Sequence, residues 1–395
     1  MFSSFTSRLR AEVDTIKLVL DAHDTLRALV YPQESTAPAG QVPSETTETP
    51  SPVESANHLE QIRNSGLSKS SWQVYDHCAA FTRLYAVYEQ FVEDLASDYL
   101  RVLPDLFRKY EDLPLSVRKQ HRIGIGQILM KLGKDGPYKD LDEGSVIKGW
   151  SAGLLGNLNY RLLPDAFLID PQNYRAEILA GLFRYLGIDD CWPWIEKHPL
   201  VVEFMNRERD ANETPRTLLH DFVEYRNKAS HTKVGDIVAT EEIKSIANYV
   251  AVMTEALSQL VMKRVVQQKI ALGETARVGL VLHRYSDFIV GMRMSAGTVT
   301  IGDELIVMHK HSCYKTTVAS IQIERSPYEQ LDVRDGQEIG LGLSARANQG
   351  AELLRMASAQ PTAAGTLPEP ISPDDFPIHI TPQSGDENNP KVESG

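Results

Sequence analysis

The sequence predicts an α+β multidomain chain, an all-α helical bundle followed by a small all-β barrel. Three observations predict it. Apolar residues recur at helical spacing up to about Leu272, β-branched runs with period-two alternation begin after Gly273, and two Pro-rich acidic stretches have almost nothing to bury. The expected divisions are an N-terminal amphipathic helix (1–31), a disordered linker (32–57), the helical domain (58–272), the barrel (273–356) and a disordered acidic tail (357–395).

In order along the chain, "MFSSFTSRLRAEVDTIKLVL" sets Val13, Ile16, Leu20 and then Ala28 or Leu29 at roughly helical spacing. It carries acids early and lacks an apolar core before a small-residue cleavage site, so no signal peptide is expected. Residues 32–57 are rich in Pro, Ser, Thr and Glu, the composition of a flexible linker. "SWQVYDHCAAFTRLYAVYEQFVEDLASDYLRVL" aligns Val74, Cys78, Phe81, Leu84 or Tyr85, Tyr88, Phe91 or Val92, Leu95 and Tyr99 on one stripe of a long helix. "LSVRKQHRIGIGQILMKL" and "NYRAEILAGLFRYLGI" read as further helices, the second closed by Gly187. Thr214 followed by Pro215 is a strong start signal for "TPRTLLHDFVEYRNKAS". Thr240 is a candidate cap for a helix with Ile243, Ile246 or Ala247, Val250, Met253, Leu257 and Leu260 on its apolar face. Beyond Gly273, "ARVGLVLHRYSDFIVGMRM", "GTVTIGDELIVMHK", "YKTTVASIQIERS" and "GQEIGLGLS" are strand-like, with turns at Gly302-Asp303 and Gly336. Short strands at regular spacing suggest a small closed barrel.

Composition narrows the function. The net charge of −12 argues against broad, nonspecific binding of nucleic acid but leaves room for a local basic site. The cysteines (Cys78, Cys191, Cys313) are scattered without a CxxC pair, which supports neither a disulfide framework nor a zinc site. No apolar run approaches the length of a membrane span. A reduced, cytoplasmic setting is expected, with no membrane, metal or cofactor.

The segment "VEYRNKASHTK" (Val223–Lys233) is the chemical candidate. Five residues of continuous helix would set Arg226 and His231 roughly 140° apart, so the two converge only if the helix ends between them. "HTKVGD" provides such an end. A guanidinium is a planar fork of donors suited to phosphate, and an imidazole exchanges a proton near neutrality. With the 2′-hydroxyl of RNA as nucleophile, the pair suffices for metal-independent cleavage. Asn227 can bond the phosphate or orient the histidine. The competing reading is a solvated helix end whose basic residues complement the helix dipole.

"RNKASH" resembles the R-N-x3-H form of the R-x4-6-H signature of HEPN domains, late in an all-α bundle. "LYAVYEQFVEDLASDYL", and "NLNYRLL" followed by "NYRAEILAGLFRYLGI", resemble the RiboL-PSP-HEPN branch over about Ser70 to Val265. The resemblance implies a catalytic Arg226 and His231, with Asn227 as the polar residue after the arginine. It also implies a homodimer in which two such motifs face one cleft. Glu89 occupies a helical acidic position able to pair with Arg226, as a structural or orienting partner or in proton transfer. His220 and Asp221 read as ordinary helix-face residues. "TVTIGDELIV", "VASIQIE" and "GQEIGLGL" resemble the β-barrel second domain of translation elongation factors, over about Arg277 to Leu354. No GxxxxGK[ST] loop accompanies it. Such a barrel either directs the chain to tRNA or ribosomal RNA or is a packing or oligomerisation module.

Other candidates carry less. Trp192 and Trp194 in "CWPWIEKHP" read as core anchors. The glycines of "GIGQILMKLGKDGP" follow no strand, so a nucleotide loop is not expected. His309 and His311 lack further metal ligands. The combined expectation is a HEPN endoribonuclease that leaves a 2′,3′-cyclic phosphate, acting in defence or as a toxin with an antitoxin partner. The alternative is a non-catalytic HEPN scaffold that binds RNA or a partner protein.

Overall fold

The computed structural model describes residues 2–32, 52–133, 138–169, 173–229 and 237–357. Most of the 32–57 linker, nearly all of the 357–395 tail, and Ser230 and His231 lie outside the described residues. Within them, α1 (Ser3–Val30), α2 (Pro52–Asn64), α3 (Lys69–Leu106), α4 (Leu115–Lys131), α5 (Glu143–Leu154), α6 (Ala176–Tyr185), α7 (Cys191–Ile195), α8 (Pro199–Glu208), α9 (Pro215–Ala229) and α10 (Thr240–Ala271) precede the strands. α2 begins inside the segment expected to be linker.

Two long helices, α3 and α10, form the frame, and α1 packs along both. α3 follows the apolar stripe from Phe81 to Tyr99, all its expected core positions being buried. Its first turns depart from the pattern. Val74 and Cys78 are only half-buried, while Asp76 and His77 are buried. The cause is α1: Arg27, 3% exposed, ion-pairs with Asp76 and with Asp24, and His23 Nδ1 lies 2.7 Å from Asp76 Oδ1. The stripe of Val13, Ile16 and Leu20 continues to Arg27 and Val30, which face inward, whereas Ala28 and Leu29, expected on it, face out. A hydropathy pattern has no means of showing a buried ion pair. Elsewhere on α1, Leu9, Val13, Ile16 and Leu20 are buried as their spacing predicts.

Local signals set the smaller helices. Thr214 Oγ1 accepts from the Thr217 amide at 3.2 Å and caps α9. Gly187, at φ +80°, ends α6 in the left-handed conformation open to glycine. Thr240 is the first helical residue of α10 rather than its cap, and its hydroxyl bonds Asp24 at 3.2 Å. The "GIG" run lies on α4, where a Cβ on Gly124 would stand 1.9 Å from the Ala166 carbonyl oxygen. That glycine lets two backbones touch.

One turn before Gly124, His121 is fully buried, its ring stacked on Phe167. Nε2 accepts from the Leu163 amide at 3.1 Å, which leaves the Nδ1 proton for the Tyr110 hydroxyl at 3.2 Å. Burial pushes the His121 pKa down to about 4. A folded pKa below the unfolded value of about 6.5 means that the unfolded chain binds the proton first. The stability contributed by neutral His121 is therefore fully present above pH 6.5 and lost as pH falls toward 4. Burial depresses His77 and His198 as well, with the same sign. Urea unfolding between pH 7 and pH 4 is expected to lose about 3 kcal/mol through His121 alone. His121→Gln should remove that part of the slope, and an unchanged slope would disprove the assignment.

The strands are β1 (Thr275–Arg284), β2 (Ile289–Met294), β3 (Gly297–Thr300), β4 (Glu304–His309), β5 (Ser312–Ile323), β6 (Ser326–Tyr328), β7 (Gln330–Val333), β8 (Glu338–Leu343) and β9 (Glu352–Met356). Six of them run β4-β9-β1-β2-β8-β5, and an antiparallel β4–β5 pairing closes the barrel. Val281, Val290, Leu305, Val307, Leu341 and Leu353 fill its interior. Gly302 (φ +94°) and Gly336 (φ +79°) supply the turns their sequence predicts.

The barrel is seated on the bundle rather than tethered to it. Ile306, Cys313 and Leu354 point out of the barrel into the bundle's apolar cluster. The Gln259 side-chain oxygen on α10 accepts from the Cys313 amide and lies 3.1 Å from His198 Nε2. Lys263 covers the Trp194 ring at 4.7 Å and donates to the Lys310 carbonyl at 2.7 Å. Trp192 and Trp194 are core anchors, each indole N–H satisfied by a helix carbonyl. Among the described residues, no helix is long and apolar enough to cross a membrane.

Candidate functional site

α9 buries Leu218, Leu219, Phe222 and Val223 against the frame, and Arg226 follows one turn after Phe222. The apolar register therefore delivers Arg226 to the edge of the core, half-buried, beside α3. Its guanidinium carbon sits 4.5 Å from the centroid of the Tyr85 ring, a cation–π contact with a buried aromatic face.

Two amides hold the same group. Arg226 Nη1 donates to Asn173 Oδ1 at 3.1 Å and to Asn227 Oδ1 at 3.2 Å. Asn173 Nδ2 donates to Asn227 Oδ1 at 2.9 Å, so the two asparagines are locked together around the cation. Asn227 thus orients the arginine here. In "NYRAEILAGLFRYLGI" the periodicity shows the helix alone, and Asn173, just before that helix, carries the contact without leaving a signal in the sequence.

Tyr85 is fixed in turn. Its hydroxyl accepts from the Tyr174 amide at 3.0 Å and donates to Glu89 Oε1 at 3.3 Å. The Tyr88 hydroxyl donates to the Tyr174 carbonyl at 2.8 Å, and the Tyr174 hydroxyl donates to Glu93 Oε1 at 3.3 Å. Two helical turns of α3 therefore clamp the Asn173-Tyr174 segment that grips Arg226. Glu89 contacts the hydroxyl end of the ring that Arg226 covers, which makes it an orienting group one residue removed from the cation. Burial, and next the charge of Glu89, push the Glu93 carboxyl up. Burial likewise raises Tyr85 to about 12 and Tyr174 further, so both stay protonated donors at neutral pH.

His231 lies outside the described residues. The helix that carries Arg226 runs through Ala229, and the chain resumes at Ile237. Just after it, the Val238 amide donates to Nδ1 of the buried His77 at 3.3 Å. His220 and Asp221 are exposed on the outer face of α9. His311 packs against the Trp194 ring. No group of three or more His, Cys, Asp or Glu among the described residues could hold a metal ion.

The arrangement is a preorganised cation at the rim of an apolar core. Nη1 is committed to the asparagines and the ring face to Tyr85, so the guanidinium plane is set before any ligand arrives. Such a group stabilises negative charge on a phosphate without reorganising.

A family model described as MAE_28990-like HEPN matches residues 12–270, from the first third of α1 to the end of α10. No curated protein matches the chain. The matched region takes in α1 and stops short of the barrel.

Proposed function

The chain belongs to the MAE_28990-like HEPN family, and on that premise we propose that it is a metal-independent endoribonuclease. The 2′-hydroxyl of the RNA attacks the neighbouring phosphorus and the 5′-oxygen of the next nucleotide leaves. His231 carries a proton in this transfer, Arg226 stabilises the charge on the phosphate, and Asn227 with Asn173 sets the guanidinium plane. The products are a 2′,3′-cyclic phosphate and a 5′-hydroxyl end. The observation that supports this most is the Arg226 geometry: a cation held by two amides and an aromatic face, on the helix that ends in the R-x4-H motif.

Two copies of the motif facing one cleft make the active form a homodimer. The barrel's resemblance to translation-factor barrels makes tRNA and ribosomal RNA the first substrates to offer. We read the activity as one used in defence or as a toxin held by an antitoxin. A non-catalytic scaffold is the second reading, favoured by the internal bonds of Nη1, which suit a purely structural arginine as well. The deciding experiment is incubation of total RNA with the purified chain in EDTA, beside His231→Ala. Cutting by the native chain alone, with cyclic-phosphate ends, supports the nuclease. No cutting by either at any protein concentration supports the scaffold.

A further inference from the structure

α4 presents Arg118, Lys119 and Arg122 to a cavity of about 550 Å³, which Lys109 also lines. Within a chain of net charge −12 this concentration of cations is out of proportion. Many surface cations here have a carboxylate: Arg8 has Asp94, Arg83 has Glu12, Arg216 has Glu196 and Arg264 has Asp190. Among the described residues, Arg118, Lys119 and Arg122 have no ion-pair partner. Among the described residues, the one acid lining the cavity is Glu111, 3.5 Å from Lys109. Arg118 Nε has no hydrogen-bond partner among the described residues.

The rest of the lining differs in kind. Tyr110, Trp150, Gly153 and Leu154 supply an aromatic and apolar surface. A Cβ on Gly153 would stand 2.8 Å from the Tyr110 ring, so that glycine brings α5 down onto Tyr110 and shapes the wall. A lining that combines guanidinium groups with aromatic surface suits a nucleotide, which offers both a phosphate and a base. Arg118 and Arg122 are one helical turn apart, a rise of roughly 6 Å, which suits neighbouring phosphates of an extended strand better than one compact anion.

From this we infer that the α4–α5 cavity is a second, non-catalytic binding site for single-stranded RNA, taking two successive phosphates on Arg118 and Arg122 and a base against Trp150. The site shares no residue with the Arg226 constellation. α3 separates them, rising roughly 30 Å from Tyr85 to Leu106 just before Tyr110. A strand held at both points has its register over the catalytic group set by the distance between them. The identity of the strand rests on the nuclease reading; the anion chemistry does not.

The test measures binding of a fluorescent single-stranded RNA to the full chain carrying His231→Ala, which removes cleavage from the readout. Lys119→Gln with Arg122→Gln, both at exposed positions, should weaken binding about tenfold and lower the slope of log K against log salt by about 1.4. Arg184→Gln, exposed on α6 outside the cavity, should change it less than twofold. Trp150→Leu should weaken binding severalfold without changing the salt slope. Free ATP should compete only in large excess over the RNA. Unchanged affinity in the double variant, or an equal loss in the Arg184 control, overturns the inference. So does ATP binding tighter than RNA, which would make the cavity a free-nucleotide site. The two readings separate cleanly. A chain that cuts RNA but binds it equally well with and without Arg122 keeps the nuclease and loses this site. A chain that binds through Arg122 but never cuts keeps the site and loses the nuclease.

Discussion

Arg226→Ala and Arg226→Lys are both expected, on the proposed mechanism, to lower the rate of RNA cleavage by about 10²- to 10³-fold, the loss expected for one charge-stabilising donor. The lysine variant is the informative one. A point charge on a flexible stem keeps the sign of the arginine but has no planar fork to present to a phosphate while Nη1 stays on Asn173 and Asn227, and it stacks less well on Tyr85. Asn173→Ala, which leaves the cation and removes one anchor, should cost about tenfold, since a misplaced group loses orientation before it loses charge. Single-turnover rates at saturating protein separate these effects from weakened binding. An Arg226→Lys chain within threefold of the native rate would show that the guanidinium geometry is not part of the chemistry.

Asp76→Asn is expected to destabilise the fold by about 3–5 kcal/mol, toward the lower end because Asp24 remains for Arg27. The mechanism is an uncompensated charge. Arg27 is 3% exposed, and neutralising its buried partner leaves a guanidinium where water does not reach. The damage should begin at α1, so hydrogen exchange along that helix would accelerate before α3 and α10 respond. Replacing both partners, as Arg27→Met with Asp76→Leu, should recover much of the loss. A denaturation midpoint unmoved by Asp76→Asn would mean that the pair is solvated and that α1 is held by its apolar stripe alone.

These two sites mark where the sequence speaks and where it is silent. Periodicity finds the stripe from Phe81 to Tyr99 and the turns at Gly302 and Gly336, because each depends on residues near in sequence. The barrel's main strands are legible for the same reason; β6, β7 and β9, three to five residues each, are too short for alternation to register. Asp76 against Arg27 and Asn173 against Arg226 are invisible because each joins residues about fifty positions apart, and polar partners leave no period. Arg226 and Asn227 are recognisable through the motif, whereas the clamp that orients them, built from Tyr85, Tyr88 and Tyr174, reads in sequence only as core. His231 lies outside the described residues, and its meeting with Arg226 belongs to the proposal. The basic face of α4 is plain in "VRKQHR", but what makes it a cavity is α5, which Gly153 lets close onto Tyr110.

The seating of Ile306, Cys313 and Leu354 in the helical interior has a practical corollary. A protein truncated at Gly273 would not be the same bundle made smaller; it would carry a raw greasy scar along α10, with the Gln259 amide and the Trp194 neighbourhood opened to water. Such a fragment should precipitate or self-associate, so its inactivity would report damage rather than lost guidance of a substrate. The contribution of the strands to target choice has to be read from point changes on their outward surface, with the joint left whole.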